Sequence, residues 1–301
     1  MEKFTFTQFQ AEYPDDGACL DKIMEMTYGG IKIKCPGCQK QSKFHRIEKR
    51  RAYACQLCGH HIYPCVGTIF EKSRSPLNKW FFAMYLFTST RHGVAARELE
   101  RQLGVTYKCA WRIAHELRKL MATADASGHS GPLSGHIEVD ETYIGGKRKY
   151  IPGVAKRGRG TPGKTIVMGI AERGGSIRAG VIPNVKAASL EVAITQNVAA
   201  GSRVSTDELS GYGRLTEAGF DHQTVNHSAK EYVRGDVHVN SVEGYWSRLK
   251  NSINGTHVHV SERHMWKYVS EFSYRYNMRK RPAAMFGRMI LAVSLPRLAD
   301  D

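Results

Sequence analysis

Acidic residues are scarce in this chain: 28 Asp and Glu stand against 44 Lys and Arg, a formal charge of +16 over 301 residues. Such a deficit points to a polyanionic partner, because neutralising phosphates with Lys and Arg is the main source of nucleic-acid affinity. Long apolar runs are missing as well. A membrane span needs roughly 18 uninterrupted apolar residues, and the nearest candidate, Trp80 to Phe87, is far shorter. The amino end, Met1-Glu2-Lys3-Phe4-Thr5, carries no apolar run of signal-peptide length, so a cytoplasmic, reducing setting is expected. Core-forming residues are not lacking: 42% hydrophobic and 10% aromatic residues exclude a disordered basic tail.

Cysteine is present seven times, an odd number that argues for metal ligation over a disulfide framework. Cys35-Pro36-Gly37-Cys38 is followed, after sixteen residues, by Cys55-Gln56-Leu57-Cys58. Each pair places two thiolates on one tight turn, and the C-x2-C…C-x2-C spacing predicts a tetrahedral four-cysteine site for one structural Zn2+. Gly37 and Gly59 are expected to allow the turn backbone, and Lys43 to Ala54 alternates as a ribbon hairpin does. His60, His61 and Cys65 lie close enough in sequence to substitute for a ligand, while Cys19 and Cys109 read as small buried hydrophobes.

From Pro76 the hydrophobic period becomes helical. Trp80, Phe81, Met84, Tyr85 and Phe87 form one stripe, Val94 to Leu103 a second helix ended by Gly104, and Tyr107 to Met121 a third, with Thr106 as N-cap. Ala110, Trp111, Ile113, Ala114, Leu117 and Leu120 are the apolar positions of the third. Helix, glycine turn, helix is the spacing of a helix-turn-helix, in which Tyr107, Lys108 and Arg112 lie at the start of a groove-reading helix. The same pattern suits an ordinary three-helix bundle. Ala124 to Gly135 reads as a linker. The chain thus divides into an N-terminal helix and zinc ribbon (1–70), a helical segment (71–127) and a third domain (128–301).

The third domain opens on Ile137 to Gly146, a strand with an aspartate, Asp140, at its middle. Such a carboxylate is either at a wet sheet edge or held for a purpose, because strand centres favour β-branched and aromatic residues. Lys147 to Lys164 then holds seven basic residues (147, 148, 149, 156, 157, 159, 164) and no acid. Lys147, Arg148, Lys149, Lys156 and Arg157 suit a loop along a phosphate backbone, or equally a solvated insertion. Strands follow at Thr165 to Ile170 and Ile177 to Ile182, then a helix from Ser189 to Ala200 capped by Gly201. A strand at Arg203 to Thr206, a helix at Tyr212 to Ala218 and a strand at Gln223 to Asn226 complete the series. This is the element order of the ribonuclease H-like fold, an α/β class with a mixed five-stranded sheet. In that fold the first and fourth strands end side by side, which brings Asp140 and Asp207 together. A helix from Val239 to Lys250 adds Glu243 beside an apolar stripe of Val242, Tyr245, Trp246 and Leu249, and Lys250 shares a face with Glu243.

With those residues in place, the chain resembles the DDE-type transposases of bacterial insertion sequences, in particular their zinc-ribbon, ISXO-like group. The resemblance runs over nearly the whole length. It rests on the ribbon with Val66-Gly67-Thr68-Ile69-Phe70 and Pro76-Leu77-xx-Trp80, and on Val139-Asp140-Glu141-Thr142-Tyr143-Ile144-Gly145-Gly146. Asp207-Glu208-xxx-Tyr212, Asn240-xx-Glu243-xx-Trp246-xxx-Lys250 and Glu271-Phe272-xx-Arg275-Tyr276-Asn277 complete it. It implies that Asp140, Asp207 and Glu243 are an acidic triad and that Lys250 contacts DNA near it. The third acidic position varies within that group, so Asn240, one turn from Glu243, is its rival or helper. The implied activity is binding of double-stranded terminal repeats, then DNA cleavage and strand transfer into target DNA, by a homo-oligomer on DNA.

Phosphoryl chemistry of this kind is an in-line displacement assisted by two divalent ions, Mg2+ or Mn2+, and hard ions take carboxylate oxygens. Asp140 is expected to bridge both, with Asp207 and Glu243 holding one each. A DNA-binding protein of transposase origin without transposition, and a ribonuclease H-like nuclease without strand transfer, are the competing readings.

Overall fold

The structure, a computed structural model, describes residues 4–145, 163–226, 229, 231 and 233–296. The chain divides into two compact units, Met1–Gly128 with Met278–Asp301, and His129–Asn277.

The first unit opens with α1 (Phe6–Glu12), where Thr5 and Gln8 form a reciprocal capping box. Helix α2 (Asp16–Tyr28) starts at the Asp15 cap and stops at left-handed Gly29. Strands β1 (Lys32–Lys34), β2 (Gln41–Arg46), β3 (Tyr53–Cys55) and β4 (His61–Ile62) form an antiparallel sheet in sequential order. Three helices follow: α3 (Leu77–Ser89), α4 (Ala96–Leu103) and α5 (Tyr107–Ala126). The expected linker therefore begins inside α5, whose inward Ala122 and Ala124 are buried and continue the apolar stripe. Gly104 takes a left-handed turn between α4 and α5. The segment after Asn277, expected with the third domain, belongs to this first unit. Its helix α9 (Met285–Ala292) presents Phe286 to Tyr13, ring centroids 5.5 Å apart, and to Phe9 at 6.0 Å.

The second unit is built on a five-stranded sheet in the order β7 (Ile177–Ile182), β6 (Thr165–Glu172), β5 (His136–Ile144), β8 (Arg203–Thr206), β9 (Asp221–Thr224). The β5–β6 and β6–β7 pairs are antiparallel, while β5–β8 and β8–β9 are parallel. This is the ribonuclease H-like topology, and it puts β5 at the centre, so the wet-edge reading of Asp140 falls away. Ile137 and Val139 join Leu190, Ile194, Val204 and Tyr212 in one core cluster, which includes α6 (Ala187–Asn197). On the opposite face Ile144 packs with Val242, Tyr245, Trp246 and Leu249 of α7 (Asn240–Ser252) and Phe272 of α8 (Glu262–Asn277). One strand therefore feeds two hydrophobic layers.

Three sequence expectations shift here. Residues 213–219 are turns after a short 3-10 segment at Ser210–Tyr212, in place of a helix; Gly211, Gly213 and Gly219 within ten residues disfavour one. Strand β9 starts at Asp221, two residues early, because its register to β8 pairs Arg203 with Asp221. Helix α6 ends at Asn197 because Val198 leaves it to bridge Leu133. No helix among the described residues is long and apolar enough to cross a membrane.

Candidate functional site

Among the described residues, two places offer candidate metal-ligand chemistry, and at one of them four ligand atoms already converge. In the first unit the Sγ atoms of Cys35, Cys38, Cys55 and Cys58 all lie within 4.8 Å of one another, and those of Cys35 and Cys58 are 3.6 Å apart. A tetrahedral zinc with bonds of about 2.3 Å spaces its sulfurs about 3.8 Å apart, so the donor set fits. The two turns are equivalent: Gln39 N donates to Cys35 O and Gly59 N to Cys55 O, each at 2.9 Å. Gly59 takes the left-handed conformation and Gln39, not Gly37, takes it in the first turn. Gly37 serves instead to admit His60, whose ring a Cβ there would meet at 2.9 Å. His60, His61 and Cys65 stay outside the ligand group.

In the second unit Asp140 lies on the α7 face of β5. Parallel register sets Glu138 beside Ser205, so Asp207, two residues on, is level with Asp140. Burial first, then Glu141 and Asp207 beside it, pushes the Asp140 carboxyl up to about 7 from the ordinary 3.8. Glu141 is raised too, by burial and by Asp207, against the hydrogen bond from Tyr212. The repulsion among these carboxylates is what a divalent cation relieves, and hard oxygen donors suit Mg2+ or Mn2+. Trp246 Nε1 donates to Asp140 Oδ2 at 2.9 Å. That contact needs Gly169, which pairs with Asp140 across the β5–β6 ladder: a Cβ there would meet the Trp246 ring at 2.8 Å and Val242 at 3.0 Å. Asp207 caps its own turn, accepting from Leu209 N at 3.0 Å.

The third position is placed differently. Asn240, Glu243, Ser247 and Lys250 fall on one exposed face of α7, next to Trp246. Asp140, Asp207 and Glu243 do not converge as a three-residue metal cluster among the described residues. The structure thus brings Asp140 and Asp207 together with Glu141, which the sequence reading did not single out. Glu141, Glu138 and Gly169 were all missed; the Asp-Glu and Asp-Glu-xxx-Tyr motifs were a signal for Glu141 through Tyr212.

Tyr107, Lys108 and Arg112 are exposed on the first turns of α5, and the Arg97 guanidinium lies 4.5 Å from the Tyr107 ring centroid. Trp111, expected among the inward apolar positions, is 37% exposed on the same stretch. Lys147, Arg148, Lys149, Lys156 and Arg157 lie outside the described residues.

A four-cysteine ribbon followed by helices, and a ribonuclease H-like sheet with two neighbouring aspartates, define a zinc-ribbon protein with a ribonuclease H-like α/β unit. Known families agree. The ISXO2-like transposase domain matches residues 132–277, and the transposase zinc-ribbon domain matches residues 14–61. An uncharacterized protein in transposable element ISH50 of Halobacterium salinarum is 31% identical over 281 residues, covering 87% of this chain and 92% of that protein. An uncharacterized transposase-like protein of Haemophilus influenzae is 29% identical over 100 residues, 32% of this chain and 77% of that one. The chain belongs to the ISXO2-like transposases of insertion sequences. The Mos1 transposase paired-end complex shares 13% identity and covers 69% of this chain and 78% of that one, at a TM-score of 0.26, too low to compare folds.

Proposed function

We propose that this transposase binds the double-stranded ends of an insertion sequence, cleaves them and transfers the freed strands to target DNA, using Asp140 and Asp207 as its central carboxylates. The observation that carries the reading is the approach of these two aspartates, Asp140 on β5 and Asp207 just past the end of the adjacent β8, with Asp140 pushed up to about 7 by burial first and then by Glu141 and Asp207. Bound divalent ions, Mg2+ or Mn2+, supply activation of the attacking oxygen and stabilisation of the leaving one. Asp140 and Asp207 offer the oxygens that would hold them, and Trp246 Nε1 fixes one of the two Asp140 oxygens. Glu243, with Asn240 beside it, is the third ligand on α7, and Lys250 on the same face takes a DNA phosphate. In the first step water forms a bond to phosphorus, and the O3′ that leaves takes a proton. In the second that 3′-hydroxyl attacks a target phosphorus and displaces the target's own O3′.

In the first unit the cysteines hold one structural Zn2+. The exposed start of α5, with Tyr107, Lys108 and Arg112, lies on DNA, and the basic residues at 147–149, 156 and 157 add phosphate contacts. A homo-oligomer on paired ends follows from the need to join two ends in one event. The test is a supercoiled donor with labelled ends, incubated with Mg2+ and target plasmid. Joined products are expected; cleavage without joining would leave a nuclease, and end binding without cleavage a DNA-binding protein only.

A further inference from the structure

A buried glutamate, Glu138, and a half-buried one, Glu141, flank Asp140 on β5, and neither is accounted for by the chemistry above. Glu138 is 0% exposed and shares the α7 face with Asp140. Its carboxylate accepts from Arg173 Nε at 3.0 Å, from Ser241 N at 2.7 Å and from Ser241 Oγ at 3.0 Å; His238 Nδ1 lies 3.3 Å away. Arg173 reaches on to the backbone oxygens of Asp236 at 2.7 Å and His238 at 3.4 Å. The whole approach to α7 is thus gathered on one carboxylate. Ser241 is the second residue of α7, where the backbone N–H has no partner within the helix, so Glu138 takes the place of a cap. Five residues on, Trp246 bonds to Asp140. Two attachments to one strand fix both the height of α7 and its rotation about its own axis, and so the side from which Asn240, Glu243 and Lys250 face.

Glu141 points to the opposite face of β5. Tyr212 Oη donates to its Oε2 at 2.7 Å, from a ring buried among Ile137, Val139, Leu190 and Ile194. Tyr212 lies five residues after Asp207, and the segment between is closed by Leu209 N to Asp207 Oδ1 and Tyr212 N to Leu209 O, both at 3.0 Å. The loop that carries Asp207 is therefore tied down at both ends, by β8 pairing and by Glu141.

We propose that Glu138 and Glu141 are positioning residues, each holding one of the other two ligand-bearing elements, α7 and the Asp207 loop, in register with Asp140. This rests on the reading of Asp140, Asp207 and Glu243 as a metal site. Groups that orient ligands shift metal affinity or activity on the order of 10-fold, not the complete loss that follows removal of a ligand.

The test uses the zinc-loaded full chain. Mn2+ binding is followed by electron paramagnetic resonance of the free ion, single-turnover cleavage is measured on labelled terminal-repeat DNA at saturating Mn2+, and thermal melting monitors the fold. Tyr212→Phe deletes only the hydroxyl and is expected to weaken Mn2+ binding on the order of 10-fold. Glu141→Gln keeps an amide oxygen that can accept from Tyr212 Oη, so it is expected to weaken Mn2+ binding no more than Tyr212→Phe does. Glu138→Asp keeps the charge but withdraws it by one methylene. It is expected to slow cleavage at saturating Mn2+ on the order of 10-fold with end-DNA affinity unchanged. Ser241→Ala, which removes only the Oγ bond, gives the same readout at smaller amplitude should Glu138→Asp fail to fold. Wild-type values for Tyr212→Phe and for the folded Glu138 or Ser241 variant would overturn the proposal. Loss of Mn2+ binding in Glu141→Gln with none in Tyr212→Phe would also overturn it, by making Glu141 a ligand. Asp140→Asn separates the two levels: if it binds Mn2+ as the wild type does, the metal site itself is misplaced, whereas its loss beside unaltered positioning variants refutes only the positioning.

Discussion

The ribbon cysteines and the carboxylates around Asp140 are both sets of metal ligands by chemistry, yet the chain builds them in opposite ways. All four sulfurs stand within 4.8 Å of one another on two matching turns, a closed shell with room for nothing but the ion. The carboxylates come from a strand, a loop and a helix. Only Asp140 and Asp207 are brought together, at the cost of a raised Asp140, while Glu243 stays on an exposed helix face. A structural site is complete and has no open position, whereas a catalytic one keeps an opening for substrate. On the proposed reading, what holds the second site in shape is less the ligand set than its surroundings: Gly169, Trp246, Glu138 and Tyr212.

The largest effect that would sharpen this contrast is expected at the ribbon. Stripping zinc, or replacing Cys35 with Ser, should remove stabilisation on the order of 10 kcal/mol from the ribbon. Zinc release by a chromogenic chelator, read alongside circular dichroism, measures it; a ribbon that keeps its fold without metal would break the comparison. Magnesium removal from the second unit is expected to leave the fold intact.

Next in size is Asp140 itself. Its folded value, about 7, lies above the ordinary 3.8, so the folded state holds the proton more tightly than the unfolded one. Stability is then highest below about 4, and falls as pH rises through the window to 7. At pH 8 and without divalent ions, Asp140→Asn should stabilise the second unit by about 4 kcal/mol, since each tenfold change in proton affinity is worth about 1.4 kcal/mol. The gain should shrink as pH falls to 5, and Mn2+ should stabilise the wild type only. Denaturant melts at the two pH values check this.

Smaller still is Gly169→Ala. The added methyl meets Trp246 and Val242, and overpacking of this kind costs about 1 to 3 kcal/mol. Because Trp246 carries the bond to Asp140, cleavage is expected to fall more than stability does; equal, slight effects on both would separate Trp246 from the site. The smallest effect is expected for His60→Ala, within about 0.5 kcal/mol and with one zinc retained per chain on metal analysis, since the cysteines alone close the shell.

How much of this was legible in the sequence differs between the two sites for the same physical reason. The ribbon is local: two C-x2-C turns fix four ligands through spacing alone, and the structure returned them as one cluster. Asp140 and Asp207, with 66 residues between them, were legible only through element order, because parallel pairing of β5 with β8 is a property of the sheet. Glu138 was not legible, and Glu141 only as the companion of Asp140 in its motif, without its role. A glutamate on a strand reads as solvated until Tyr212 and Ser241 are known to reach it from 71 and 103 residues away. Between Tyr212 and Ala218 the apolar spacing suits a helix, but the surrounding glycines outweigh it. The place of the tail after Asn277 was not legible either, because aromatic, helical residues do not say which core they join.

The central claim is that Asp140 anchors the chemistry of DNA cleavage. Cleavage of labelled terminal-repeat DNA by the Asp140→Asn chain, in Mg2+ and at a concentration where it occupies the ends fully, tests it most directly. Undiminished end binding, intact zinc and no nicked or joined product are expected. Product formed at the wild-type rate would contradict it.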